Sequence, residues 1–335
     1  MAGVSAKTVS RVLNQEPGVA AATAARIQAA IATLGFRRNE MARMLRTGDG
    51  VRALGLVVHD LDTPHSAGVA GAVARAARDQ GFLVITGSSH GDPGSERQLV
   101  SWLLGRQVDG LLLMPSGDGH DYLSAELQRG LPVVLVDTPV AGIEVDCVVV
   151  DNVDGARQAT HHLLRHGHRR IAFIGDRPGI PSADQRLDGH QQALATGGIW
   201  VDAELIRTGL TDLQSAQQAT QQLLALKAPP TAILAAGSWL ALGAARALER
   251  SGTALVGFDD LELADLSKTS LTTVSCAAAG IGSSAASLLL ARLAGSLRPA
   301  QKIVLPAVLS ARGSGERRPD VGPQPGVTRR WYRRS

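Results

Sequence analysis

Apolar and polar positions alternate in two rhythms along this chain. The first 36 residues carry helical spacing only. Val9, Val12 and Leu13 recur at helical intervals behind Ser5, a good N-cap, and Val4 can staple against Val9. Ile27, Ile31 and Leu34 share one face of a second predicted helix over Ala21–Leu34, and Gly35 fits its left-handed cap. From residue 51 the rhythm becomes strand, helix, strand. Apolar runs predict strands at Leu54–His59, Phe82–Thr86, Gly110–Met114, Pro132–Asp137 and Cys147–Val150, then at Ile171–Gly175, Ala232–Ala235 and Leu255–Phe258. Between them lie predicted helices at Gly71–Gln80, Glu96–Leu104, Leu123–Arg129, Gly155–Arg165, Ala183–Ala195, Ser215–Leu224, Leu240–Arg250 and Gly282–Leu293. Near-continuous apolar strands alternating with helices indicate an α/β core whose parallel sheets are covered on both faces.

Composition narrows the class. The chain has 335 residues, enough for two or three domains, and 3% aromatic residues, so its cores are aliphatic. Its apolar runs fall short of the ~18–20 residues of a membrane span, and Met1-Ala2-Gly3 opens directly into a helix without an export signal. Cys147 and Cys276 lack metal-ligand spacing, which fits a reducing cytosol and no disulfide framework. A cytoplasmic protein with no membrane contact is expected. The net charge of +4 hides an asymmetry: +4 on residues 1–50, −5 on 51–311 and +5 on 312–335. A basic head on an acidic body points the head at a polyanion.

The head supplies donors to match. Lys7, Thr8, Ser10 and Arg11 face away from the apolar stripe, with the reach to contact phosphates and base edges in a major groove. The stretch Ala2-Gly3-Val4-Ser5…Thr8-Val9-Ser10-Arg11-Val12-Leu13-Asn14 closely resembles the recognition helix of the LacI/GalR family of bacterial transcription regulators. The helix that follows, the 39–48 hinge and the strand Leu54-Gly55-Leu56-Val57-Val58 extend the resemblance to about Ser314.

The resemblance implies a small all-α helix-turn-helix head over 1–36, a hinge helix over 37–50, and a two-lobed periplasmic-binding-protein-like core over 51–314. The N-lobe would take about 51–151 and 275–304. The C-lobe would take 152–274, with a last crossing after 304. Pro/Gly/Arg-rich residues 315–335 read as a disordered basic tail. Heads of this type have a further helix before the position of Ala2, so this head is expected to be truncated. Either the start codon is assigned too late, the favoured reading, or the product lacks a full DNA-binding head.

The implied function is a ligand-responsive transcriptional regulator, most simply a repressor of carbohydrate or small-metabolite genes, binding a near-palindromic operator as a homodimer. Ser5, Lys7, Thr8, Ser10, Arg11 and Asn14 would meet double-stranded DNA, with Asn39, Arg43 and a minor-groove wedge at Leu45 from the hinge. Arg38 stands where the family carries proline, and Ala20 where it carries a Ser or Thr cap. The effector, a sugar or related metabolite, would sit at strand ends between the lobes. Candidates are Asp60, His65, Ser66, Asp137, Ser182, Arg186, Ser238 and Asp259. Carboxylates accept from paired hydroxyls and arginine is a fixed donor fork; the bland alternative is that these charges cap helices or pair with one another.

This site departs from the family pattern. Gly237-Ser238-Trp239 replaces the usual Asn-Asp pair, His65-Ser66 the usual aromatic pair, and Cys276 a polar residue, while the segment before Val256 is short. A sugar-binding module without specific DNA binding is the alternative function. An enzyme on the same core lacks any catalytic constellation, and no cofactor is expected. His161, His162, His166 and His168 surround one helix end, where solvated histidines are a simpler expectation than a metal site.

Overall fold

In the computed structural model the described residues are 3–13, 17–34, 52–117, 119–259 and 270–319. Four predicted DNA contacts, Asn14, Asn39, Arg43 and Leu45, lie outside them, as does the expected hinge helix. The chain divides into two compact units, Met1–Val51 and Arg52–Ser335.

The first unit holds α1 (Ala6–Leu13) and α2 (Ala21–Thr33). Ser5 caps α1: its hydroxyl accepts from the Thr8 amide at 3.2 Å. Ala20 precedes α2 with no side-chain cap. Of the three residues expected on one face, Ile27 is buried, Ile31 half-buried and Leu34 exposed. Leu34 follows the last turn of α2 as its C-cap.

The second unit is built from twelve described strands. In chain order these are β1 (Ala53–Val58), β2 (Leu83–Ser88), β3 (Gly110–Leu113), β4 (Val133–Val136), β5 (Asp146–Val150), β6 (Ile171–Ile174), β7 (Ile206–Arg207), β8 (Ala232–Ala235), β9 (Ala254–Phe258), β10 (Thr272–Ser275), β11 (Lys302–Leu305) and β12 (Val308–Ser310). They form two sheets, ordered β11-β5-β4-β3-β1-β2 and β12-β10-β9-β8-β6-β7. All pairings are parallel except β12 against β10. The sheets correspond strand for strand: β1 to β6, β2 to β7, β3 to β8, β4 to β9 and β5 to β10. Strands β1, β3, β4, β5, β6, β8 and β9 are buried along their whole length, which is why they read as apolar runs.

The connecting helices are α3 (Pro64–Asp79), α4 (Pro93–Gly105), α5 (Ser124–Gln128), α6 (Asn152–Arg165), α7 (Pro181–Thr196), α8 (Leu213–Leu224), α9 (Ser238–Ala247) and α10 (Ala278–Leu293). Helices α3 and α10 pack together in the first lobe, α6 and α7 in the second. Each pair approaches through a glycine: a Cβ on Gly282 would lie 2.5 Å from the Val69 carbonyl, and one on Gly189 2.2 Å from that of Val153. The chain passes between sheets three times, after Val150, after Ser275 and after Leu305.

Helix α3 starts at Pro64, seven residues ahead of the Gly71–Gln80 stretch expected to form most of it, because Thr63 caps it by accepting from the Ser66 amide and proline suits the first turn. Helix α10 likewise starts before Gly282. Strands β7, β10, β11 and β12 were not expected. Three of them, β7, β11 and β12, stand at sheet edges and are not buried along their length, and β10 carries polar Thr272 and Thr273 on buried positions. The folded core also runs past Ser314, where the basic tail was expected to begin. Ser314 Oγ donates to the Leu255 carbonyl at 2.6 Å, Glu316 accepts from Thr272 Oγ1 at 2.8 Å, and Arg317 donates to the Ser251 carbonyl at 2.8 Å. Two of the four histidines near the end of α6, His162 and His168, serve this docking. His162 Nε2 lies 2.5 Å from Glu316, and buried His168 bridges Thr231 Oγ1 and the Arg317 carbonyl.

Candidate functional site

A cavity of about 530 Å³ lies between the two sheets of the second unit, at the carboxyl ends of their strands. All eight residues expected around an effector line it: Asp60, His65, Ser66 and Asp137 from the first lobe, Ser182, Arg186, Ser238 and Asp259 from the second.

Strand correspondence explains its centre. Asp137 follows β4 and Asp259 follows β9, equivalent strands of the two sheets. Both have left-handed backbone, with φ of 65° and 66°. Both donate their amides sideways to the neighbouring strand, Asp137 to the Val148 carbonyl at 2.8 Å and Asp259 to that of Val274 at 2.9 Å. A non-glycine residue held in this region marks a place where surrounding structure overrides local preference, and aspartate tolerates it better than most.

Each aspartate has a cation beside it. His65, in the first turn of α3, places Nε2 2.6 Å from Asp137 Oδ2, and their side chains are only 18% and 16% exposed. Burial alone would depress the imidazole, but the charge and hydrogen bond of Asp137 outweigh it and raise His65 to about 9. Burial likewise pushes Asp137 upward, yet His65 holds it below the usual carboxylate range. Arg186 Nη1 lies 3.5 Å from Asp259 Oδ2 and donates to the Ala236 carbonyl at 3.1 Å, while Nε donates to Asn152 Oδ1 at 2.9 Å. Its guanidinium stacks 3.9 Å from the centre of the Phe258 ring. The charges therefore do pair with one another, and the pairs also face the cavity.

The other four differ in role. Ser66 is buried with its hydroxyl 4.0 Å from Met114 Sδ, and Ser238 is buried in the first turn of α9. Ser182 is half-buried in the first turn of α7, and Asp60 stands at the mouth, its carboxylate 3.8 Å from His90 Nδ1. Sequence reading missed Asn152, which aims Arg186, and His59, whose Nε2 bonds the Pro115 carbonyl at 2.8 Å inside the cavity wall. Asn152 directly follows the first crossing, and that placement was its available signal. Among the described residues no cluster of three or more His, Cys, Asp or Glu is placed to hold a metal ion.

On α1, Lys7 and Arg11 are exposed and Thr8 and Ser10 half-exposed. Ser5 Oγ also lies 3.0 Å from Thr8 Oγ1, so these two hydroxyls stand as a pair. No helix among the described residues is long and apolar enough to cross a membrane.

A two-lobed α/β sensor with a small helical head defines a class of ligand-responsive regulator, and comparison with known proteins agrees. Residues 1–39 match the model for bacterial regulatory proteins of the lacI family, and residues 160–315 match a periplasmic binding protein-like domain. The chain is 31% identical over 320 residues to the HTH-type transcriptional repressor CytR of Escherichia coli (strain K12), covering 93% of each. It is 33% identical over 329 residues to the HTH-type transcriptional regulator CelR of Thermobifida fusca, covering 94% of this chain and 96% of that one. Among solved structures it resembles the lac repressor dimer bound to operator and the anti-inducer ONPF, with a TM-score of 0.78, 28% identity and 94% of this chain covered against 96% of that one. It also resembles a CelR–cellobiose complex, with a TM-score of 0.71, 30% identity and coverage of 93% and 97%. The chain belongs to the lacI family of bacterial regulatory proteins and is a transcriptional regulator.

Proposed function

We propose that this regulator represses carbohydrate or small-metabolite genes by binding a near-palindromic operator as a homodimer, and that a small hydroxylated effector in the interlobe cavity controls that binding. The paired clamps His65–Asp137 and Arg186–Asp259, one on each lobe at equivalent strand ends, carry the reading. A ligand that engages both favours one relative position of the lobes, and such differential affinity typically supplies ~1–3 kcal/mol of coupling. On the DNA side Lys7, Thr8, Ser10 and Arg11 would read the major groove, with Ser5 and Asn14 beside them. Asn39 and Arg43 would contact the backbone and Leu45 the minor groove. The named relatives support this: CytR is a repressor, the lac repressor dimer is bound to operator, and CelR is complexed with cellobiose.

A second copy has a surface to cover. Edge strand β2 leaves Leu83 64% and Ile85 38% exposed, and Trp102 on the neighbouring α4 is 54% exposed. Apolar groups on an open strand edge invite pairing with another chain.

The experiment is a gel-shift titration of the purified protein on DNA upstream of its own gene. Specific retardation is expected, and Arg11→Ala should cost ~1–3 kcal/mol of discrimination between operator and scrambled DNA. Retardation that is equal on both DNAs would reject the reading.

A further inference from the structure

We infer that the cleft selects an amphipathic effector: a compact, uncharged, hydroxylated head held at the end nearest the interlobe crossings, carrying an apolar ring that lies along the outer wall of the second lobe. This rests on the reading above that a small molecule occupies the cleft, and goes on to specify its chemistry.

The head follows from unused valences. Asp137 Oδ2 and Asp259 Oδ2 face their own cations, while neither Oδ1 has a hydrogen-bond partner among the described residues. On the cations, His65 Nδ1 and Arg186 Nη2 are likewise without one. Each lobe thus offers one acceptor and one charged donor side by side. A hydroxyl group both donates and accepts, so it satisfies such a pair. A phosphate or carboxylate only accepts, and would bring its charge against Asp137 and Asp259, with Asp60 and Asp62 also on the cavity wall.

The ring follows from sheet order. In the second sheet the strands run β10-β9-β8-β6-β7 from the strand that enters a crossing to the far edge. Asp259 follows β9, next to that crossing strand. Beyond it come Trp239 after β8, Ile180 after β6, and Leu210 and Leu213 after β7, all lining the same cavity. These four are half-buried, whereas Leu240 beside them is fully packed in the core, so they keep apolar surface toward the cavity. Trp239 is the only Trp, Tyr or Phe among the described lining residues. A plain sugar engaging the clamps would leave this wall against water. A ligand with a flat ring covers it, and even one methylene in such a pocket changes affinity by roughly tenfold or more.

The test is calorimetry on the full-length protein with matched pairs: D-ribose against uridine and adenosine, D-galactose against ortho-nitrophenyl β-D-galactopyranoside, and D-glucose against para-nitrophenyl β-D-glucopyranoside. At least one ring-bearing member should bind roughly tenfold or more tighter than its parent sugar. Trp239→Ala and Leu213→Ser should each reduce that ratio while lowering affinity for the parent sugar far less. A parent sugar that binds as tightly as its ring-bearing partner overturns the inference. So does a ratio unchanged in both variants, or a panel of which no member binds. These outcomes are separate from the gel shift: loss of operator recognition with the ratio intact would refute the regulator reading alone.

Discussion

Replacing Asp137 with asparagine should convert His65 from a fixed cation into an ordinary buried imidazole. Asparagine is the appropriate substitution because residue 137 has a φ of 65°, which Asn adopts readily and Ala does not. In the native protein His65 titrates at about 9 against 6.5 for a free imidazole. That difference corresponds to about 3 kcal/mol at 1.36 kcal/mol per pK unit. This is a ceiling, since the pair borders a cavity that admits solvent, and about 1–3 kcal/mol is the expected loss at pH 7. A raised folded-state value stabilises fully below pH 6.5 and loses its effect as pH climbs through 9. The deficit of the variant should therefore be present at pH 7 and shrink by pH 10. Without Asp137, burial dominates and His65 should titrate below 6.5. Histidine NMR across pH 5–10 reads the titration, and thermal midpoints at pH 7 and 10 read the stability, with about 2–4 °C expected per kcal/mol. A His65 resonance titrating near 6.5 in both proteins, or a midpoint difference that is the same at both pH values, would refute the reasoning.

Three further outcomes are expected. Leu83→Lys with Ile85→Lys places charge on the open edge of β2, and light scattering should show the proposed dimer replaced by monomer. Ala20→Asp supplies the cap that α2 lacks and should slow amide exchange in α2 in proportion to ~1 kcal/mol. His190 is buried against Phe173 and held down to about 4, so its stabilisation is present above pH 6.5 and lost as pH falls through 4; His190→Phe should flatten that part of the stability–pH curve in chemical denaturation.

How far the sequence could be read depended on burial. Strands β1, β3, β4, β8 and β9 were legible because both faces are covered and every position is apolar. Strand β10 was not, because its threonines reach the core only by bonding to Glu316 and Arg312 from the far end of the chain. Position at strand ends found Asp137 and Asp259. It could not show that His65 reaches Asp137 across 72 residues of sequence, because that contact depends on α3 starting at Pro64. Helical periodicity gave Gly71–Gln80 as most of α3 and did not place His65 on that helix. His162 and His168 were misjudged for a similar reason, since their partners Glu316 and Arg317 fell in a segment whose composition reads as tail.

The equivalence of Asp137 and Asp259 also bears on how the cleft would work. Each is fixed to its own sheet by a backbone bond to the neighbouring strand, β5 for Asp137 and β10 for Asp259. Both of those strands lead directly into crossings between the lobes, after Val150 and after Ser275. Asn152, which aims Arg186, stands two residues beyond the end of β5. The charged clamps are thus attached to the segments that must bend if the lobes move. On the proposed reading, a ligand gripping both clamps acts on the interlobe crossings without passing through the packed helices, because Asp137 and Asp259 bond directly to the strands that enter those crossings. An effector that reached only one clamp would bind without favouring either lobe position, since equal affinity for two states shifts neither. Removing one clamp should therefore weaken the operator response more than it weakens ligand affinity.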